Sequence, residues 1–244
     1  MISIIVATYN SCNKLENALN SIINQNYKDW ECIIVDGAST DGTIDIIKDY
    51  CSKDVRFRYI SEKDNGIYDA LNKGCKLAKG EWTYVLGSDD ELTIDGLANL
   101  LKYDDGTNDV IYGNVYLKSR QGIIKKFISK SVDKLSYVMI CSHQAVIIKK
   151  SVIDKLGGYK IIYPIRADFD LLQRAYLCNY KFKYSNIFVA YFLEDGISSN
   201  AKISTHIERY YICKNNKSSK VPMLWYLYQE VRFFAGRIRN KLSI

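Results

Sequence analysis

Trp82-Thr-Tyr-Val-Leu-Gly-Ser-Asp-Asp90 decides how the rest of this chain is read. An apolar, aromatic run of strand length stops at Gly87 and ends in two adjacent carboxylates with no basic neighbour. Such a run reads as a strand buried on both faces, as in a parallel sheet. Burying unpaired carboxylates is expensive, so Asp89 and Asp90 belong at a strand end, facing a cation or solvent. In open α/β sheets ligands bind at the carboxyl ends of strands. The stretch therefore predicts a ligand-binding edge where Asp89 and Asp90 meet a divalent metal.

Upstream the same rhythm recurs. Ile2–Ala7 is a β-branched run that stops at Thr8-Tyr9-Asn10, and Leu15, Leu19, Ile22 and Ile23 then share one helical face. Trp30–Val35 is a second apolar strand. It stops at Asp36-Gly-Ala-Ser-Thr-Asp-Gly-Thr43, where Ser39 or Asp41 can cap a helix over Ile44–Cys51. Phe57–Ser61 is a third strand, Glu62–Gly66 a turn, and Ile67–Ala78 a helix closed by Lys79-Gly80. Downstream, a helix over Thr93–Tyr103 and a strand over Val110–Leu117 continue the alternation. This spacing predicts a doubly wound, mostly parallel α/β sheet flanked by helices. After Lys118 the rhythm breaks. Lys118–Lys134 is polar and basic, Ser142–Ile148 reads as a strand, and Ser151–Leu156 as a short helix stopped by Gly157-Gly158. Asp168–Asn179 is a helix with Asp168 and Asp170 in its first turn.

With 244 residues, 48% of them hydrophobic, the chain can bury one full core. Its net charge of +7 is unevenly placed. Residues 202–244 hold nine Lys or Arg against Glu208 and Glu230, whereas residues 1–201 hold 25 basic and 25 acidic side chains. A neutral body argues against nucleic-acid binding, and a basic tail points to an anionic partner, foremost a membrane surface. In that tail Val221–Leu242 is an amphipathic helix, with Leu224, Leu227, Val231, Phe234 and Ile238 on its stripe and Arg232, Arg237, Arg239 and Lys241 beside it. The stripe suits a membrane interface, or packing on the body or on a second copy in a homodimer; periodicity and charge leave both open. The expected division is a body over 1–201, with halves 1–117 and 118–201, and a basic helical extension over 202–244. Seven cysteines without a Cys-x-x-Cys pair indicate free thiols in a reducing compartment. The apolar opening Met1–Thr8 is too short for a signal peptide, and no stretch reaches the ~20 apolar residues of a spanning helix.

Three strand ends deliver polar groups to one edge: Thr8-Tyr9-Asn10, Asp36 and Ser88-Asp89-Asp90. Asp36 could accept the imide N–H of a uracil and Tyr9 could stack on the base, while carboxylates and phosphate oxygens suit Mn²⁺ or Mg²⁺. Each has a plainer reading. Asp36-Gly37 is a common turn, Asp89-Asp90 could cap the following helix, and an acid in a helix's first turn, such as Asp168, is stabilising anyway. Their conjunction favours a nucleotide-diphosphate site. No Gly-x-Gly-x-x-Gly follows a strand, which disfavours a dehydrogenase. Thr8–Lys14 also lacks the glycine-rich basic loop that a sugar nucleotidyltransferase needs. A non-catalytic sugar-nucleotide or glycan-binding scaffold is the remaining alternative, disfavoured by the intact Asp36, Asp90 and Asp168.

Several motifs, in this order, resemble the inverting glycosyltransferases of family 2 with their GT-A fold. They are Ala-Thr-Tyr-Asn10, the 36–43 loop, Ser-Glu-Lys-Asp-Asn-Gly-Ile-Tyr-Asp69, Gly-Ser-Asp-Asp90, Ser142-His-Gln and Ala-Asp168-Phe-Asp-Leu. The resemblance runs from Ile2 to Arg174, and Ser61–Gly74 is nearest the branch that builds bacterial surface polysaccharides such as O-antigen and capsule. It implies transfer from a UDP-sugar to a hydroxyl of a saccharide acceptor, polyprenyl-diphosphate-linked. The setting it implies is a cytoplasmic protein peripheral to the inner face of the bacterial membrane, with Mn²⁺ or Mg²⁺ as cofactor. On matched positions it implies that Asp36 contacts the uracil, with Ala7, Thr8, Tyr9 and Asn10 forming the base pocket and Asp64 and Gly66 close by. Asp90 would ligate the metal, Asp89 would face the ribose or donor sugar, and Ser88 is a weaker ligand than a strict Asp-x-Asp supplies. Asp168 would be the catalytic base, with Asp170 the position most readily confused with it. Gly113, Asn114, His143 and Gln144 would lie near the donor sugar or acceptor. One displacement by a base-activated hydroxyl would invert the anomeric centre.

Overall fold

A computed structural model describes residues 1–119, 121–193 and 203–218 of the chain. The expected helix over 221–242 lies outside the described residues.

The first ninety residues form the expected α/β alternation: β1 (Ile2–Thr8), α1 (Leu15–Ile23), β2 (Trp30–Asp36), α2 (Thr43–Lys53), β3 (Phe57–Ser61), α3 (Ile67–Leu77) and β4 (Trp82–Gly87). These four strands are parallel in the order β3-β2-β1-β4. Their register aligns Thr8 with Asp36, Asp36 with Ser61, and Ala7 with Gly87, so all the polar strand ends share one edge. Ile4, Ile5, Val6, Ile33 and Ile34 are fully buried, as continuous apolar strands covered on both faces must be. Helix α3 lies directly on them. A Cβ at Gly74 would stand 2.5 Å from Ile5 Cγ2 and 3.3 Å from Val35 Cγ2, so only glycine permits that approach.

Beyond β4 the sheet stops being parallel. There follow β5 (Glu91–Leu92), α4 (Gly96–Leu101), β6 (Val110–Lys118), β7 (Ile124–Phe127), β8 (Val146–Lys149), α5 (Lys150–Leu156), α6 (Ala167–Leu177), β9 (Phe182–Leu193) and α7 (Ile203–Asn215). The strand order continues β4-β8-β6-β9-β5, with β7 hairpinned onto β6. β8 runs antiparallel to both β4 and β6. The expected strand over Ser142–Ile148 is shorter than its apolar run: His143–Ala145 form a single 3-10 turn before β8 begins. β7 and β9 were not anticipated. β6 pairs with β9 along nearly its whole length, with a bulge around Gly113 and Asn114.

All seven cysteines are free thiols. Among the described residues no helix is long and apolar enough to cross a membrane.

Candidate active site

A cleft of about 720 Å³ opens over the carboxyl ends of β1 and β4. Its lining includes Ala7, Thr8 and Tyr9, Gly87 to Asp90, Ser142 to Gln144, and Asp168. Its size suits a small-molecule ligand. Thr8 Oγ1 is buried in this lining without a hydrogen-bond partner, a donor and acceptor left for a guest. Tyr9 stands at the mouth, 62% exposed.

The loops that leave β1 and β2 are laced together. Asn10, held at φ 48°, donates its backbone N–H to Ser39 Oγ at 2.8 Å and accepts from Thr40 N at 2.9 Å. Ser11 N donates to Thr43 Oγ1 at 2.8 Å, and Cys12 N to Asp41 Oδ2 at 3.1 Å. Asp41 also accepts from the Thr43 hydroxyl at 2.5 Å and from Thr43 N, while the N-cap of α2 is Gly42 rather than the expected Ser39 or Asp41. The Thr43 hydroxyl holds the Asp41 carboxyl well below the usual carboxylate range. Gly37 lies beneath Tyr9 and Asp64: a Cβ there would be 2.7 Å from Asp64 Oδ2 and 3.3 Å from a Tyr9 ring carbon. Asp64 in turn accepts from Gly66 N at 2.9 Å, fixing the turn into α3.

Asp36 does not reach the cleft surface. It is fully buried and accepts from Ser39 N at 3.0 Å, from the Ser39 hydroxyl and from Ser61 Oγ at 2.6 Å. Its observed work is to hold Ser39, and through Ser39 the Asn10 backbone. A direct contact to a base would require one of those hydroxyls to turn away.

The carboxylates that end β4 are unequal. Asp90 is buried and accepts from Gln144 Nε2 at 2.7 Å and from the Leu193 N–H at 2.9 Å. Burial pushes its pKa up to about 7, with the Asp89 charge adding to the effect and the two hydrogen bonds opposing it. Asp89 is half-buried, with Lys14 Nζ 3.4 Å from Oδ2. Ser88 Oγ lies 3.1 Å from Ser11 Oγ.

Asp168 and Asp170, two residues apart in α6, have separate surroundings. Asp168 lines the cleft; its Oδ1 accepts from Tyr68 Oη at 3.1 Å and from Phe169 N at 2.8 Å. Asp170 is fully buried in a network with Arg174 Nε at 2.7 Å, Lys160 Nζ at 3.5 Å and Asn216 Nδ2 at 3.0 Å. Tyr68 stacks on Tyr159 with ring centroids 5.6 Å apart, and Tyr159 Oη is 2.9 Å from His143 Nε2. Burial and the neighbouring Asp168 charge push the Tyr68 phenol well above its ordinary value, so it stays a donor. Burial pushes the His143 imidazole below its ordinary value, against the pull of Asp168.

Gly113 and Asn114 are not part of this cleft, contrary to expectation. Asn114 is fully buried, accepting from Ser129 N at 2.9 Å and Tyr184 Oη at 3.1 Å. A Cβ at Gly113 would sit 2.8 Å from the Ile187 carbonyl, so this Gly-Asn pair serves the β6–β9 bulge.

The profile of glycosyl transferase family 2 matches residues 3–160. This chain belongs to that family. A PGL/p-HBAD biosynthesis glycosyltransferase of Mycobacterium bovis is 32% identical to this family 2 chain over 208 residues, 82% of this chain and 79% of the relative. A GalNAc(5)-diNAcBac-PP-undecaprenol beta-1,3-glucosyltransferase of Campylobacter jejuni is 31% identical over 139 residues, 56% of this chain and 45% of the relative. Among solved structures, S. aureus TarS 1-349 in complex with UDP superimposes with a TM-score of 0.69 at 20% identity, covering 88% of this chain and 64% of that one. The present chain therefore spans less than two thirds of that solved chain, and the likeness is one of GT-A-like fold.

The donor set of this family 2 site fits a divalent cation completed by a ligand's phosphates. Asp90 is a buried carboxylate that no cationic side chain neutralises among the described residues, and Asp89 lies beside it. Among the described residues no three acidic, His or Cys groups cluster tightly enough to hold a metal unaided. Hard cations accept one or two carboxylates plus phosphate oxygens.

Tyr68 lies within the 61–69 motif but had no role assigned to it, and Tyr159 and Arg166 carried no sequence signal. Arg166 lines the cleft, donates its Nε to the Thr205 carbonyl at 2.9 Å, and with Ile165 gives its N–H to Glu208 Oε2. α7, at the start of the segment read as a separate tail, thus buttresses the loop that presents Asp168. Lys73 is engaged with Glu62 at 2.8 Å and Asp69 at 3.7 Å.

Proposed function

We propose that this family 2 glycosyltransferase moves a sugar from a UDP-sugar to a hydroxyl of a lipid-linked saccharide acceptor, with inversion, in bacterial surface polysaccharide synthesis. The observation that carries the reading is that Asp89, Asp90 and Asp168, brought from β4 and α6, all line one cleft. In this reading Asp89 and Asp90 would serve the leaving diphosphate and Asp168 the incoming nucleophile.

The uridine would rest against Ala7, Thr8 and Tyr9, with Thr8 Oγ1 finding there the partner it lacks. Asp64 and Gly66 close the pocket from α3, and Asn10 and Asp36 act through the loop they hold. Mn²⁺ or Mg²⁺ held by Asp90, with Asp89 and Ser88 beside it, would supply Lewis-acid stabilisation of the charge on departing UDP. Gln144 and the Leu193 N–H fix the orientation of Asp90. Asp168 Oδ1 is anchored by Tyr68 and Phe169, and Oδ2 has no hydrogen-bond partner among the described residues. In this reading Oδ2 would take the proton of an acceptor hydroxyl while the oxygen attacks the anomeric carbon from the side opposite UDP. The new C–O bond forms as the bond to the diphosphate breaks, and the proton ends on Asp168. No covalent intermediate is required. The membrane side of the reading rests on the basic 221–242 segment and on a relative named for an undecaprenol-linked substrate.

The test is thermal shift and slow donor hydrolysis with UDP and a panel of UDP-sugars, with and without Mn²⁺. A bound donor raises the melting temperature by mass action. No shift and no hydrolysis with any uridine nucleotide would overturn the donor assignment.

A further inference from the structure

We infer that the β6–β7 hairpin and the segment after it form a membrane-docking face, separate from the basic C-terminal tail, that binds the anionic surface of a phospholipid bilayer beside the cleft. This goes beyond the donor and base assignments and does not depend on them.

The neutrality of residues 1–201 conceals a local surplus. Residues 118–134 hold six basic side chains (Lys118, Arg120, Lys125, Lys126, Lys130 and Lys134) against Asp133 alone. Since 1–201 holds 25 of each sign, the rest of the body is net acidic. Lys118 is paired with Glu91 at 2.9 Å, but Lys125, Lys126, Lys130 and Lys134 have no ion pair among the described residues. Among these lysines stand three isoleucines, Ile123, Ile124 and Ile128, which are 55%, 52% and 53% exposed.

Lysines on an edge strand have an ordinary use, which is to discourage edge-to-edge pairing. Three half-exposed isoleucines on the same edge work against that use, so this face requires a cover. A second copy is disfavoured, because pairing would bring two unneutralised lysine clusters together. An anionic bilayer satisfies both features: lysines sit among the headgroups while the isoleucines enter the ~5–10 Å boundary layer.

The face is fixed and adjoins the site. Ser129, at the foot of β7, donates its N–H to Asn114 Oδ1 at 2.9 Å and its hydroxyl to the Gly113 carbonyl at 2.5 Å. Lys130 N then bonds the Ile140 carbonyl at 2.7 Å, and the chain continues through Met139 and Cys141 into the cleft wall at His143. Docking here would hold the cleft beside the bilayer from which a lipid-linked acceptor is offered.

The experiment is co-sedimentation of the full chain with phosphatidylcholine vesicles, with and without anionic phosphatidylglycerol. Each surface lysine contributes about fivefold to partitioning onto anionic lipid. Lys125→Ala/Lys126→Ala is therefore expected to bind phosphatidylglycerol vesicles about 25-fold more weakly, and Lys130→Ala/Lys134→Ala similarly. Ile124→Ser/Ile128→Ser is expected to lose the binding that survives in high salt. Unchanged melting temperature and UDP shift show that fold and donor site are intact. The inference is overturned if the hairpin variants bind as wild type while a variant with Arg232, Arg237, Arg239 and Lys241 changed to Gln does not. It is equally overturned if Ile124→Ser/Ile128→Ser converts a dimer to a monomer without altering vesicle binding.

Discussion

Tyr68 Oη stands 3.1 Å from Asp168 Oδ1, joining the first turn of α3 to the first turn of α6 across 100 residues of sequence. The Ile165 carbonyl lies 2.9 Å from the same oxygen, so the single phenolic hydrogen is shared between that carbonyl and the carboxylate. A donor to a charged group contributes about 1.5–3 kcal/mol. Tyr68→Phe keeps the stacking on Tyr159 and removes only that donor. Expected is a fall in kcat of about tenfold or more, with UDP affinity unchanged, measured by steady-state kinetics beside a UDP thermal shift. An equal loss from Tyr159→Phe, whose hydroxyl meets His143 instead, would show that the Asp168 contact is not what matters.

Asp168 and Asp170 separate activity from stability. Asp170 is buried against Arg174, whose other nitrogens bond the Leu156 and Gly158 carbonyls that end α5. Removing one partner of a buried pair leaves an uncompensated charge and costs about 3–5 kcal/mol. Asp170→Ala should lower the unfolding free energy by that order, read from denaturant titration. Asp168→Asn should leave the same titration nearly unmoved and lower turnover by several orders of magnitude. Retained turnover in Asp168→Asn would move the base elsewhere.

How much was legible follows the locality of the interactions. β1 to β4 each announced themselves as apolar runs ending in turn chemistry, and their parallel register alone placed Thr8, Asp36 and Asp89 at one edge. The sheet beyond β4 was legible only in part, because β9 lies about seventy residues after its partner β6 and no local pattern encodes a pairing that distant. Asp36 and Asn114 show the complementary error. Both are polar residues at strand ends or bulges, and sequence cannot distinguish a side chain aimed at ligand from one saturated by its own loop. Asp168 was assigned by family resemblance; only its surroundings in the fold separate it from Asp170.

His143 makes the fold acid-sensitive. Its folded pKa is depressed by burial, so below the unfolded value of about 6.5 the unfolded chain binds a proton that the folded chain does not. Stability from this group is therefore complete above pH ~6.5 and is lost as pH falls toward the depressed value. Denaturation midpoints at pH 7.5, 6.5 and 5.5 should fall more steeply in wild type than in His143→Gln. The variant should be weaker at neutral pH by about 1 kcal/mol, since it gives up the 2.9 Å bond to Tyr159. Parallel curves would assign the acid sensitivity to other groups, with Glu208, raised by burial, contributing in the opposite sense.

Gly87 is the residue on which the Asp90 conformation depends. A Cβ there would collide with Asp90 Oδ2 and stand 3.3 Å from Asp89 Oδ1. Asp90 cannot yield without breaking its bonds to Gln144 or to the Leu193 N–H, and it has almost no free surface to move into. Gly87→Ala should therefore cost about 1–3 kcal/mol of stability, as overpacking does, while displacing the carboxylate proposed to hold the cation. Its expected signature is a raised Mn²⁺ concentration for half-maximal donor hydrolysis, together with an unchanged UDP shift in metal-free buffer. Because the uridine pocket lies at the end of β1, a variant that lost metal-free UDP binding would show that the strain spreads beyond β4.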